Sequence, residues 1–309
     1  MLFDLAIIII NYNSSEYTIA CLHSILNNTS KNLSYQIIVI DNSSVKRDYQ
    51  NLEHKIKKIP FPDLQLYRSR INTGFGGGNM MGVQYAKANY YLFINNDTIL
   101  VKDPISICYE FMESTPGAAV CGIQILDDNK IPQVSFDHFT SFSREVFGKN
   151  ILELLQPKTK PKRKKKYSEP IMVNYVNGSF MFFRAKDFED VGGFDNNIFL
   201  YFEESDICFR LLNNGKKTFF IPNASYQHFQ GKSVDSTDWR IKTKIELKTS
   251  MFYVIRKNYG YLHYQALRIV FLLRYAIVSL VKPKYFKLWY RILLGMPISK
   301  SLKQEQKLH

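Results

Sequence analysis

The chain has 309 residues, 46% of them hydrophobic, with abundant Tyr and Phe, which excludes a disordered chain and suffices for one large α/β domain or two smaller ones. Its net charge of +14 is unevenly placed: residues 240–309 hold 15 Lys/Arg against 2 Asp/Glu, whereas residues 1–239 hold 26 against 25. A neutral body with a strongly basic tail predicts an anionic partner surface, either membrane lipid or nucleic acid.

The opening "MLFDLAIIIINYN" carries Asp4 before a short apolar run and has no basic flank, so it predicts a first strand rather than a secretory signal. "SSEYTIACLHSILNN" then places Ile19, Leu22 and Leu26 on one helical face behind serines suited to capping. "QIIVID" and "YYLFIN" read as further strands, "LQLY" as a weaker one, and "GNMMGVQYAKAN" as a second helix. Strands alternating with helices predict a mostly parallel sheet with right-handed crossovers. The four cysteines (Cys21, Cys108, Cys121, Cys208) lack metal-site or redox spacing and read as reduced thiols in the cytosol.

Each strand ends in a polar cluster: Asn11-Tyr12-Asn13, Asp41-Asn42-Ser43-Ser44, Asn72 to Asn79, and Asn95-Asn96-Asp97. The carboxyl ends of strands in an open α/β sheet share one edge, so these clusters are expected to converge on one crevice. The last of them ends a buried strand on amide and acidic oxygens, which is either a plain turn or a place to hold a cation. "INTGFGGGNMMG" is Gly-rich but fails both the Walker pattern and dinucleotide spacing; its glycines predict close backbone approach to a ligand.

"PKTKPKRKKKYSEP" holds seven basic residues between Lys158 and Lys166 and predicts an exposed loop. A second folded segment follows, in which "FLYF" leads into Glu203, Glu204 and Asp206 at the start of a helical run. Carboxylates there are common as dipole partners. Behind so many aromatics, however, one of them is expected to be raised in pKa and suited to general-base work. His228 alone reads as a core histidine. Beyond Arg240 the chain reads as helical.

"NYNSSEYTIACLHSI", "VIDNSS", "NTGFGGGNMMG", "LFINNDT" and "GGFDNNIFLYFEESDICFRLLNNGKK" stand in the order and spacing of family 2 glycosyltransferases. The resemblance covers roughly residues 5–235 and points to the branch containing bacterial rhamnosyltransferases of surface polysaccharide assembly. It implies an α/β GT-A fold, a nucleotide-sugar donor (dTDP-rhamnose first), Mg²⁺ or Mn²⁺, and inversion at the anomeric carbon. It also implies a lipid-linked glycan acceptor on the cytoplasmic face of the cell membrane. Under it Asn11, Asn13 and Asp41 would serve the nucleoside, and Asn72 with the Gly74–Asn79 loop (Gly74, Phe75, Gly76, Asn79) would close over the nucleotide. Asn95-Asn96-Asp97 would be the metal motif with Asp97 as its ligand, and His228 would reach the metal or diphosphate from the far side. Glu203-Glu204 would match the family's Glu-Asp pair, with Glu204 the base and Asp206 a further acidic candidate.

Two positions depart from the family pattern: Asn95 stands where many relatives have Asp, and Glu204 stands where Asp is commoner. Residues 1–239 are expected to form the catalytic domain, with nucleotide-sugar-binding residues 1–105 and acceptor-side residues 170–239. Residues 240–309 are expected to form basic helices lying on an anionic membrane, Lys284, Lys287 and Arg291 striping one side of a helix after Pro283. Donor choice is expected to rest on pocket shape near Phe75, Asn177 and Phe180. A UDP- or GDP-sugar donor, a catalytically dead sugar-nucleotide module and a nucleic-acid binder remain as alternatives, the last without any recognised binding signature.

Overall fold

The computed structural model describes residues 2–229 and 237–308. β1 (Phe3–Asn11), α1 (Ser15–Asn28), β2 (Tyr35–Asp41), α2 (Lys46–Ile56), β3 (Leu64–Arg68), α3 (Gly74–Val83) and β4 (Ala88–Asn95) alternate; α2 lies where the pattern names no element, and the helix expected over 78–89 ends at Val83, its last two residues opening β4. β5 (Thr98–Leu100), α4 (Pro104–Ser114), β6 (Ala118–Leu126), β7 (Phe136–Asp137), α5 (Phe142–Phe147) and α6 (Lys149–Leu155) follow. After the basic loop come β8 (Ile171–Val173), β9 (Tyr175–Val176), β10 (Phe180–Arg184), α7 (Ala185–Asp190), α8 (Glu203–Asn213) and β11 (Lys217–His228). The chain closes with α9 (Thr237–Tyr259), α10 (Tyr261–Val281) and α11 (Phe286–Leu293).

Among the described residues nine strands form one sheet, ordered β3-β2-β1-β4-β10-β6-β11-β5 with β8 on β11, while β7 and β9 pair separately. β1 to β4 are parallel, and β10 enters antiparallel between β4 and β6. Because β1 is flanked by β2 on one side and β4 on the other, the crossover direction changes there, where such sheets open a crevice. Register puts Asn11 opposite Asp41 and Asn95 opposite Ile10, so three of the polar clusters reach the same edge.

Alternation along the buried strands divides the core in two. Leu5, Ile7, Ile9, Ile37, Val39, Leu92 and Ile94 face α1, α2 and α4, whose Leu22, Ile25, Leu52, Ile105 and Met112 complete that layer. Ala6, Ile8, Ile38, Ile40, Tyr91 and Phe93 face the other way, toward Phe188, Ile207 and Leu211 of α7 and α8.

The Gly-rich segment corrects one expectation. It is not a loop: helix α3 begins at Gly74. A Cβ at Gly78 would stand 2.8 Å from Ile10 Cδ1, and one at Gly82 would stand 2.5 Å from Ile8 Cγ2. The backbone approach that these glycines permit is helix to strand, and it buries the helix directly on β1.

The tail also differs from a detached basic unit. Ile245, Met251, Phe252, Ile255, Tyr264, Leu267, Phe271, Leu288, Ile292 and Met296 form a third core, against which Phe142, Val146 and Phe202 pack. Leu288 and Ile292, on the basic helix expected to lie on a membrane, are buried on α9 and α10. The C-terminal segment returns to α9, where Glu246 accepts from Ser301 Oγ at 2.7 Å and from Leu302 N at 2.8 Å. The boundary expected at residues 239/240 falls within the first turn of α9, shortly after residues 230–236, which lie outside the described residues. In the basic loop Lys158, Lys162 and Lys164 to Lys166 are exposed as expected, while Arg163 turns inward to Glu153 at 2.7 Å.

Candidate active site

The Asn95-Asn96-Asp97 turn joins β4 to β5, and its geometry is set by three neighbours. Asn95 N donates to Ser179 O at 3.0 Å, tying the turn to the residue just before β10. Asn96 Nδ2 donates to Ser14 Oγ at 2.7 Å and Thr18 Oγ1 at 2.8 Å, bracing it on the start of α1. β5 pairs antiparallel with β11 so that Thr98 faces His228, which brings His228 Nε2 to 3.0 Å from Asp97 Oδ1. Phe229 N closes the same corner on Asp97 O at 3.0 Å. The Asp97 side chain keeps 27% of its surface open, whereas the His228 ring is nearly buried and its Nδ1 has no hydrogen-bond partner. Two metal-competent side chains thus meet at the carboxyl end of the sheet. Among the described residues no third His, Cys, Asp or Glu joins them.

The residues assigned to the nucleoside are placed differently from one another. Asn11 and Asp41 are fully buried. Asn11 Nδ2 donates to Asp41 Oδ1 at 2.9 Å, to Ser44 Oγ at 3.1 Å and to Asp48 Oδ2 at 3.0 Å. Asp41 Oδ2 meets Arg68 Nε at 3.3 Å and accepts from Ser44 N at 3.2 Å. These two therefore form a floor beneath the crevice and have no free surface of their own. Asn13 is exposed, with φ 52°, and its Oδ1 accepts from Val45 N at 2.8 Å.

A residue outside the sequence assignments organises the next wall. Asn42 Nδ2 donates to Asn72 Oδ1 and to Gly74 O, both at 3.0 Å, and its Oδ1 accepts from Thr73 N and Oγ1, both at 3.0 Å. Asn72 is thus oriented by Asn42 at the start of α3. Phe75 is half-buried, its N donating to Phe199 O at 3.0 Å, while Gly76 and Asn79 are buried. Asn79 Nδ2 donates to Phe75 O at 3.1 Å, a contact within the helix. Phe180, expected at the donor pocket, is 1% exposed and belongs to the first core.

Across the crevice, Tyr201 and Phe202 have φ of 73° and 72°, a left-handed pair that bulky side chains rarely adopt. This backbone turns the chain sharply into α8 and separates its three acids, each to different surroundings. Glu203 is buried and its Oε1 has no partner; burial, then the neighbouring Glu204, pushes its carboxyl well above the ordinary range. Glu204 is half-buried, and its Oε1 accepts from Gly178 N at 3.1 Å. Burial raises its carboxyl too, against the lowering pull of the Gly178 N–H. It lines a cavity of about 280 Å³ with Tyr175, Asn177, Tyr201, Phe202 and, from α9, Leu247.

Asp206 corrects the sequence assignment. It is fully buried and paired with Arg210 Nη2 at 2.8 Å and with Lys257 Nζ of α9 at 2.9 Å. Two residues on along a helix lie about 200° round it, so Asp206 faces the tail while Glu204 faces the cavity. Its work is structural. Lys257 also pairs with Asp195 at 2.7 Å, which clamps the segment leading into α8.

Both sides of the crevice hang on one tripeptide, Asn177-Gly178-Ser179. Ser179 O holds the Asp97 turn and Gly178 N holds Glu204. The signal in the sequence was the "NGS" ahead of an aromatic strand, which no spacing rule singles out. A methyl at Gly178 would overlap the Glu204 carboxylate, so Gly178→Ala should displace that side chain. Expected is a loss of kcat of at least about tenfold, with the thermal midpoint lowered by only a few degrees. Unchanged kcat would show that Glu204 does not depend on this contact.

The glycosyl transferase family 2 model matches residues 6–192, a span that holds the Asp97 turn and ends before Glu203. Rhamnosyltransferase WbbL of Escherichia coli K12 is 29% identical over 271 residues, covering 82% of this chain and 93% of that protein. The low-salt glycan biosynthesis hexosyltransferase Agl10 of Haloferax volcanii is 29% identical over 216 residues, covering 68% and 62%. The crystal structure of GalNAc-T7 with UDP, GalNAc and Mn²⁺ superposes with a TM-score of 0.59 at 14% identity. It matches 81% of this chain, which spans about half of that one (47%), and the likeness shows the GT-A type of α/β fold. By the family match over more than half its length, the chain belongs to glycosyl transferase family 2.

Proposed function

We propose that this glycosyltransferase moves a sugar, L-rhamnose from dTDP-rhamnose, to a hydroxyl of a lipid-linked glycan in bacterial surface polysaccharide synthesis, with inversion. The observation that supports the reading is the Asn177-Gly178-Ser179 segment, whose Ser179 O accepts from Asn95 N of the Asp97 turn while the adjacent Gly178 N donates to the cavity-lining Glu204. Similarity to the E. coli rhamnosyltransferase over nearly its whole length supports the choice of sugar. A UDP- or GDP-sugar would use the same residues.

Asp97 and His228 offer one carboxylate and one imidazole, a set that fits Mg²⁺ or Mn²⁺ completed by phosphate oxygens and water. His228 Nδ1 and, on the paired strand, Thr98 Oγ1 are buried polar atoms in this corner without a hydrogen-bond partner among the described residues. Such an ion, when bound, neutralises charge on a departing nucleoside diphosphate. The chain's own part is positioning and proton transfer. Glu204, aimed by Gly178 N–H, takes the proton from the acceptor hydroxyl as that oxygen attacks C1. Tyr175, Tyr201 and Phe202 offer apolar faces on which an acceptor sugar ring can rest. The enzyme would work from the cytoplasmic side, at the inner face of the cell membrane.

A panel of dTDP-, UDP- and GDP-sugars tests the reading through release of free nucleoside diphosphate in the presence of lipid-linked acceptor. Release fastest from dTDP-rhamnose is expected. Binding of nucleotide sugars without release from any of them would favour a non-catalytic module.

A further inference from the structure

The outward side of α10 is apolar and uncovered. Leu262, Ala266, Ile269, Leu273, Ile277 and Leu280 recur every three or four residues along one stripe, all of them exposed, with Leu262 at 82% and Leu280 at 85%. The opposite side of the same helix carries Tyr264, Leu267 and Phe271, buried in the third core. The stripe runs about 27 Å, five helical turns. α5 packs against α10 and leads to α6, where Ile151, Leu154 and Leu155 are exposed as well. Scattered surface leucines need no explanation, but a continuous stripe of this length marks an interaction surface.

Charge selects the occupant. From Leu247 to Gln304 the sequence contains no Asp or Glu. Arg274 flanks the stripe, and exposed Lys282, Lys284 and Lys287 follow its end. A second copy of the chain on this face would set cations against cations, whereas anionic lipid headgroups would meet them with opposite charge. A full crossing is disfavoured by the packing. α10 is long and apolar enough to cross a bilayer, yet doing so would strip Tyr264, Leu267 and Phe271 from α9.

We infer that the exposed stripe of α10 is the face on which this protein docks to an anionic lipid bilayer, lying in its interface. The inference supplies the membrane partner of the proposed reaction and rests on that reading for its purpose. α9 gives it a route to the site: the helix packs against α10 on one side and contributes Leu247 to the Glu204 cavity on the other. A lipid-linked acceptor held at the surface would then lie one helix layer from that cavity. Removing residues 282–309 would take Leu288, Ile292, Met296 and Leu302 out of buried positions, so point changes on the stripe read the surface more cleanly.

The test is sedimentation of the full chain with phosphatidylglycerol-containing vesicles and with pure phosphatidylcholine vesicles. The wild type should sediment with the first at low salt and much less with the second. Leu273→Glu with Ile277→Glu should weaken that partition at least about tenfold, because both side chains lose their burial in lipid. Lys284→Glu with Lys287→Glu should weaken it by a similar factor that high salt removes. Unchanged sedimentation of the Leu273/Ile277 variant overturns the inference. So does a wild-type dimer that the same variant dissolves, or a wild-type chain that resists alkaline extraction as a spanning protein does. Turnover on a soluble acceptor reads the reaction separately: its absence from the wild type, with vesicle binding intact, would remove the proposed chemistry and leave the surface.

Discussion

Glu204→Gln should lower kcat at least about 100-fold while donor affinity changes by no more than about twofold. The amide oxygen of Gln can still accept from Gly178 N, so the side chain keeps its place and loses only its capacity to take a proton. The pH profile carries the same assignment. Burial holds the Glu204 carboxyl above its ordinary value of 4.5, and a base works only when ionised. Activity should therefore be present at higher pH and fall as pH drops through an apparent pKa above 4.5, an acid limb that the Gln variant lacks. Glu203 is pushed up further by burial and by Glu204, and its proton and that of Glu204 are lost as a coupled pair. Asp206→Asn should lower the thermal midpoint, because it weakens the pairing of Arg210 and Lys257, and should cost less in kcat. A larger kcat loss at Glu203→Gln or Asp206→Asn than at Glu204→Gln would move the base elsewhere in this cluster.

Asp97→Ala should reduce turnover by at least about 1,000-fold, the order expected when several kcal/mol of charge stabilisation on the leaving group is lost. The turn itself should survive, because its backbone is held by Ser179 O, Phe229 N and the Asn96 side chain. Calorimetry should show Mn²⁺-dependent tightening of nucleotide binding in the wild type and none in the variant. EDTA should abolish wild-type turnover, and added Mg²⁺ or Mn²⁺ should restore it. Full activity in EDTA would leave Asn95-Asn96-Asp97 as a plain turn.

The sheet was legible because its strands are nearly pure Ile, Val and aromatic runs, and parallel topology forces their polar ends to one edge. The pairing of Asp97 with His228 bridges 131 residues and depends on antiparallel β5 on β11, which local pattern does not encode. Resemblance supplied it instead. The glycines of α3 misled because approach to a ligand and approach to a strand demand the same residue. Asp206 misled because its partner, Lys257, lies 51 residues away on a helix that read as separate. On α10 both sides are apolar, so periodicity alone could not say which one meets α9. On α11 the ambiguity differs: an apolar side beside a basic stripe suits a membrane and a neighbouring helix alike, and Leu288 and Ile292 lie in the core.

The proposed reading, with Asp97 at the leaving group and Glu204 at the acceptor, requires a single displacement at C1. Its most direct test is the anomeric configuration of the product, read by NMR from the coupling at C1 of sugar transferred to a defined acceptor. Inversion relative to the donor is the predicted result, with Glu204 acting as base on the acceptor. Retention would require a second displacement at C1 and would contradict the role of Glu204.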